Sequence, residues 1–185
     1  MAPEQAQKLL TRAKQLDPRL RKMIDDLENS PHVITIICVE SVAKINEISG
    51  GGNGRMNPEK GNVQGYKDSM AGGGGPGQGS TIELFCGCNG DKYKQDQGYR
   101  SSLTVLVHEL QHSWDLAMAQ AAIRLRKNGN PEYIDDPTTN VQESEQRSVR
   151  TENIVREQTQ HAIRTTYGGD PVTNPQGRFS PIPMP

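Results

Sequence analysis

"TVLVHELQHSWDLA", residues 104–117, sets two histidines four apart with a glutamate directly after the first. On an α-helix, residues four apart lie one turn apart on the same face, so His108 and His112 can aim ring nitrogens at one point. A zinc ion about 2.1 Å from each nitrogen fits that spacing. Glu109 flanks the point without being forced to bind there. Zinc lowers the pKa of a bound water towards about 7, and Glu109 is placed to take the proton and pass it to a leaving amine. HExxH has only three fixed positions and arises by chance in unrelated chains. Its setting adds weight. Thr104–Val107 is largely apolar, so the helix is buried where the histidines sit, and polar groups in a core need partners.

The 185 residues are enough for one domain. With 32% hydrophobic and 4% aromatic residues, 19 glycines and 12 prolines, the core is expected to be small and the surface irregular. A net charge of -1 offers no basic field, so no nucleic-acid partner is expected. No apolar run approaches the roughly 20 residues of a membrane span. The N-terminal 20 residues read as charged and helical, without the apolar core of a secretory signal. Cys38, Cys86 and Cys88 cannot all pair within one chain, and the last two are too close for an easy bridge. Reduced thiols in a cytosolic setting are the expectation.

Outward from the motif, a single domain is expected over 1–168. Apolar spacing and the Asp17-Pro18 pair predict helices at 3–16 and 18–28, within an N-terminal helical region 1–30. "HVITIICV", 32–39, and "STIELFCG", 80–87, read as strands, with Ile82 and Leu84 on one face. The glycine-rich stretch 50–79 reads as loop, and "NGDKYKQDQG" as a polar turn region. Ser101 or Ser102 caps the motif helix, which is free of proline and glycine to about Lys127. A further helix is expected from Thr139 or Asn140 to about Thr165. Residues 169–185, rich in proline, read as a flexible tail.

A catalytic zinc takes three protein ligands. The HExxHxxGxxH solution fails, because Asp115 and Met118 stand at its last two positions. No GTxxD string exists either, which leaves a glutamate on the following helix. Val141, Val149, Val155, Ala162 and Ile163 mark that helix's inward stripe. Glu145 and Glu152 lie on it; Glu143 and Glu157 face outward. Arg156 can pair with Glu152 one turn away, which frees Glu145 for the metal. Glu145 is the favoured ligand and Glu152 the reserve.

"VLVHELQH", then "ESEQRSVRTENIVRE", then "HAIRTTYGG" resembles the NleD-type, M91-like metallopeptidase effectors and is more distantly similar to clostridial neurotoxin light chains. The resemblance covers roughly 80–168. It implies His108, His112 and Glu145 as zinc ligands and Glu109 as general base. It also implies support near the site from Glu152, Asn153 and Arg156. Where the family often has a second acid after the ligand, this chain has Gln146. Arg164 and Tyr167 match the pair that stabilises the transition state in the neurotoxin relatives. A guanidinium and a phenol three residues apart at a helix end can both donate to an oxyanion. The ordinary reading of Arg164 is a surface arginine favouring the helix dipole.

Other residues carry less. Cys86-Gly87-Cys88 lacks the partners of a metal motif. His32 opens a strand, and His161 is a packing residue with a reserve claim as ligand. Asp115, three after His112, reads equally as a partner of that imidazole or as a surface acid.

The expectation is a small α+β zincin-like metallopeptidase with two active-site helices, a short sheet and a zinc cofactor. The resemblance implies a monomeric bacterial effector secreted by a type III system. Its substrate would be a host signalling protein, such as a kinase, in the host cytoplasm. Two rivals share the residues: a non-catalytic zinc-binding interaction domain, and a toxin protease aimed at competing bacteria.

Overall fold

The computed structural model describes residues 2–39, 54–58, 77–86, 94–95, 98–99, 101–118, 123–125, 131–133 and 143–176. Helix α1 spans Ala2–Leu16 and α2 spans Pro18–Glu28. Between them Asp17 is extended and its side chain accepts from Arg19 N, an N-cap followed by proline at the first helical position. Strand β1, Ile34–Val39, pairs parallel with β3, Ser80–Phe85. The two meet at Ile36↔Ile82.

Strand β2, Gly54–Pro58, lies antiparallel on the other side of β3, giving the order β1-β3-β2. This corrects the expectation of loop throughout 50–79. Local propensity in "GRMNP" is poor for a strand; pairing with β3 supplies what the residues lack. Gly54 has a steric reason: a Cβ there would sit 2.6 Å from Val105 Cγ1 on the motif helix. The rest of that glycine-rich stretch, apart from 77–79, lies outside the described residues. The polar region near 94–99 holds a short hairpin, β4 Lys94–Gln95 with β5 Gly98–Tyr99.

Helix α3, Ser102–Ala117, carries the motif. Ser101 caps it reciprocally with Thr104, as the sequence allowed. It stops about ten residues short of the expected Lys127. The chain at 77–78 crowds its C-terminus: Gln78 N donates to Leu116 O at 3.3 Å, and a Cβ on Gly77 would lie 2.1 Å from Ala117 O. Beyond it, β6 Ile123–Leu125 pairs antiparallel with β7 Pro131–Tyr133.

Helix α4 spans Glu143–Gln158, not the expected reach to 165; its expected start at Thr139 or Asn140 lies outside the described residues. A two-bond C-terminal lock ends it. His161 N donates to Arg156 O at 2.8 Å and Gln160 N to Glu157 O at 3.2 Å, with Gln160 at φ 59. A glycine usually marks that left-handed position; glutamine holds it here, so the stop was hidden. Arg164 and Tyr167 therefore lie beyond the helix. Tyr167 sits in β8, Thr166–Tyr167, which pairs with β9, Asp170–Pro171, across Gly168 and Gly169, both at positive φ. Within the expected tail, Val172 is buried and the chain is held against α4 as far as Pro175.

The sheet's inner face and the helices share one core. Ile82 and Leu84 of β3, Leu106 and Val107 of α3, Leu20 and Ile24 of α2 and Val155 of α4 are almost fully buried in it. Each such side chain contributes about 1.5–3 kcal/mol. Helices α3 and α4 pack extensively against each other. Two buried polar links hold their alignment: Thr151 donates to Gln111 Oε1 at 2.9 Å, and Arg147 pairs with Asp115 at 3.0 Å. The small α+β architecture matches the expected zincin-like class. A disulfide joins Cys38 to Cys86, with Cα atoms 5.4 Å apart, correcting the expectation of reduced thiols. Parallel pairing of β1 with β3 brings the two strand ends together, which sequence spacing could not reveal. Cys88 lies outside the described residues. Among the described residues no helix is long and apolar enough to cross a membrane.

Candidate metal centre

His108 and His112 project from one face of α3 with ring centroids 5.1 Å apart. Packing of α4 on that face brings Glu145 opposite them. Its Oε2 is 3.2 Å from His108 Nε2, and its Oε1 is 3.5 Å from His112 Nε2. One ligand atom from each of the three residues falls within 4.8 Å of the others, a grouping that could hold a metal ion. The donor set is two imidazoles and a carboxylate, which suits zinc or a similar divalent ion. Glu145 Oε2 is buried and lacks a well-aligned hydrogen bond, as a carboxylate oxygen built to meet a cation would. The residues therefore fit a metal.

The electrostatics agree. Burial works against a charged His108, yet Glu145 and Glu152, aided by Glu109, outweigh it and raise its pKa to about 9. Burial likewise works against a charged Glu145, but His108 and His112 hold its carboxyl far below the usual range. Glu145 thus faces a site that prefers positive charge.

Glu152 is fully buried and sits behind His108, its Oε2 3.3 Å from Nδ1. Arg156 grips Oε1 through Nε at 2.8 Å and a terminal nitrogen at 2.7 Å, the pairing expected from their spacing. Arg164 approaches Oε2 at 3.3 Å. Glu152 is not in the group that could hold the metal, because Arg156, Arg164 and His108 Nδ1 occupy its oxygens. Glu157 is exposed, as expected, while the side chain of Glu143 lies outside the described residues.

Arg164 and Tyr167 do reach the site. The guanidinium carbon of Arg164 lies 4.7 Å from the centre of the Tyr167 ring. That ring runs nearly parallel to the His108 imidazole, 9° apart in tilt and 6.2 Å between centroids. Arg164 is buried, so the surface-arginine reading fails. Glu109 is buried on the side of α3 facing β2, and a Cβ on Gly54 would come within 3.4 Å of its Cγ.

Three residues take places the sequence did not assign. Ser148 puts its hydroxyl 3.2 Å from His112 Nε2; its position three after Glu145, on the same helical stripe, was the available signal. Gln146 instead accepts from Arg150 and from Thr173 N, at 3.2 Å each. Asp115 is buried, accepting from Gln111 and pairing with Arg147, so it is no surface acid. His161 shares a 2.8 Å hydrogen bond with Thr159, and neither it nor His32 joins the metal grouping.

Residues 10–167 match the model of a peptidase family, M91, described as effector proteins. No curated protein and no solved structure matches the chain.

Proposed function

The chain belongs to the M91 peptidase family of effector proteins, and from that premise we propose that it is a zinc-dependent endopeptidase. The observation that carries the proposal is the convergence of Glu145, from α4, on His108 and His112 of α3, with Glu109 beside them on that buried helix. A zinc ion held by these three ligands would polarise the scissile carbonyl and acidify a water.

The chain's own groups divide the remaining work. Glu109 takes the proton from the attacking water and delivers it to the leaving amine. Glu152 Oε2, 3.3 Å from His108 Nδ1, favours a proton on that nitrogen and so leaves Nε2 directed towards Glu145. Tyr167 and Arg164 donate to the oxyanion that develops on the carbonyl; loss of such a donor costs on the order of 10²-fold in rate. Strand β2, at the sheet edge among the described residues, runs past Glu109 and offers backbone groups to an extended peptide. That favours cleavage within a protein chain.

The effector family supports a protein substrate met inside a host cell. The finer reading is delivery by a type III system and cleavage of a host signalling protein, such as a kinase, by a monomeric enzyme.

The test is zinc content by elemental analysis, together with hydrolysis of a degenerate quenched-fluorescence peptide library by zinc-loaded protein. About one zinc per chain, lost in His112→Ala, is expected. Glu109→Gln should keep the zinc and abolish hydrolysis. Hydrolysis that survives Glu109→Gln refutes the mechanism, and a protein that takes up no zinc refutes the cofactor.

A further inference from the structure

Asn153, on α4 beside Glu152, is 1% exposed. Its amide makes three hydrogen bonds, all to backbone. Nδ2 donates to Arg164 O and to Pro175 O at 2.9 Å each, and Oδ1 accepts from Arg164 N at 2.7 Å. One side chain thus grips both polar groups of residue 164, as a neighbouring strand would. A second fastener lies further on. Thr173 N donates to Gln146 Oε1 at 3.2 Å, and Thr173 O accepts from Arg150 at 2.7 Å. The chain from 164 to 175 is pinned to α4 at both ends. Between the pins, β8 and β9 form only two residue pairs, too few to hold a shape alone.

This segment carries Arg164 and Tyr167. We infer that Asn153 is a positioning residue for the reaction, setting where the Arg164 guanidinium and the Tyr167 ring stand relative to His108. The inference rests on the peptidase reading above and deepens it. Glu152 and Asn153 are consecutive on α4 but act in different directions. Glu152 holds the imidazole of His108, and Asn153 holds the strand that faces that imidazole. Both are tied to Arg164, one through its guanidinium and one through its backbone. Asp at 153 could not substitute, because it would set oxygen against the two carbonyls that Nδ2 now serves. Misplacing catalytic groups by about 1 Å can cost 10²-fold in rate.

The experiment uses the full zinc-loaded chain and the best-cleaved member of the peptide library. Asn153→Ala is expected to lower kcat about tenfold or more, with KM and zinc stoichiometry within about twofold of wild type. Amide exchange should quicken at 164–167. Arg150→Ala, which loosens the second fastener from its outer side, should lower kcat about threefold, in the same direction. A purely structural role would lower zinc content and thermal stability together and leave kcat per zinc-loaded molecule unchanged; that result overturns the inference. If Asn153→Ala does not fold, unchanged kcat in Arg150→Ala overturns it. Where turnover is too slow to measure, unaltered exchange at Arg164 N in Asn153→Ala does so. Full activity in Asn153→Ala beside an inactive Glu109→Gln refutes this inference alone, whereas an active Glu109→Gln refutes the peptidase mechanism beneath it.

Discussion

Glu152 Oε2 stands 3.3 Å from Nδ1 of His108, on the far side of the ring from Glu145. The imidazole is thus held between two carboxylates on one helix, seven residues apart and two turns along. One carboxylate faces the candidate metal position and the other orients the ring.

Glu152→Gln should therefore weaken zinc binding by about 10–100-fold, read by competition with a chromogenic chelator. Arg156 and Arg164 lose their shared anion in the same variant, so it should also melt earlier. Zinc affinity equal to wild type in folded Glu152→Gln would remove Glu152 from the site.

The Cys38–Cys86 bond closes a loop across a sequence separation of 48. Loop-closure entropy for that length gives about 4 kcal/mol of stabilisation. Denaturant titration with and without a reductant, and of Cys38→Ser, should show a loss of that order. Coincident curves would mean that the bond does not form in solution or that the unfolded chain is already compact.

Gln78 is fully buried, and neither atom of its amide has a hydrogen-bond partner among the described residues. An amide in that condition costs about 1–3 kcal/mol. Gln78→Met, close in volume, should raise the unfolding free energy by about 1 kcal/mol. A destabilised variant would show that the amide is satisfied by an internal water.

Asp17 caps α2 and pairs with Arg19, whose hydrogen bond is the largest influence and holds the carboxyl below its ordinary value of 3.8. A depressed carboxyl contributes stability above the unfolded-state pKa and loses it as pH falls through the folded one. Asp17→Ala should cost about 1 kcal/mol at neutral pH. The gap to wild type should narrow below about pH 4. A gap that stays constant into acid would assign the effect to the cap geometry alone.

Much of the site was legible because it follows from helical periodicity. His108, Glu109 and His112 need only the four-residue turn. Glu145 and Glu152 emerge from the apolar stripe of Val149 and Val155, and the pairing of Glu152 with Arg156 from their spacing. Helices α1 and α2, and strands β1 and β3, were equally local, written in Leu and Ile spacing and in the Asp17-Pro18 signal. The ends of α3 and α4 were not. Nothing in the residues after Ala117 breaks a helix; the chain at Gly77 and Gln78 does so from outside. Gln160 takes a left-handed conformation that its side chain does not advertise.

The sequence by itself determined which side chains share a helix face, because a helix repeats every 3.6 residues whatever surrounds it. It thereby put His108 and His112 side by side and left Glu145 and Glu152 as candidates for a third ligand. Tertiary structure alone decided which carboxylate meets the metal position and which turns to Nδ1, since that depends on how α4 lies across α3. It also decided that "GRMNP" is a strand, that Cys38 meets Cys86, and that Asn153 clasps Arg164. Each of these joins residues distant in sequence, and such pairings are set by packing, which no local pattern encodes.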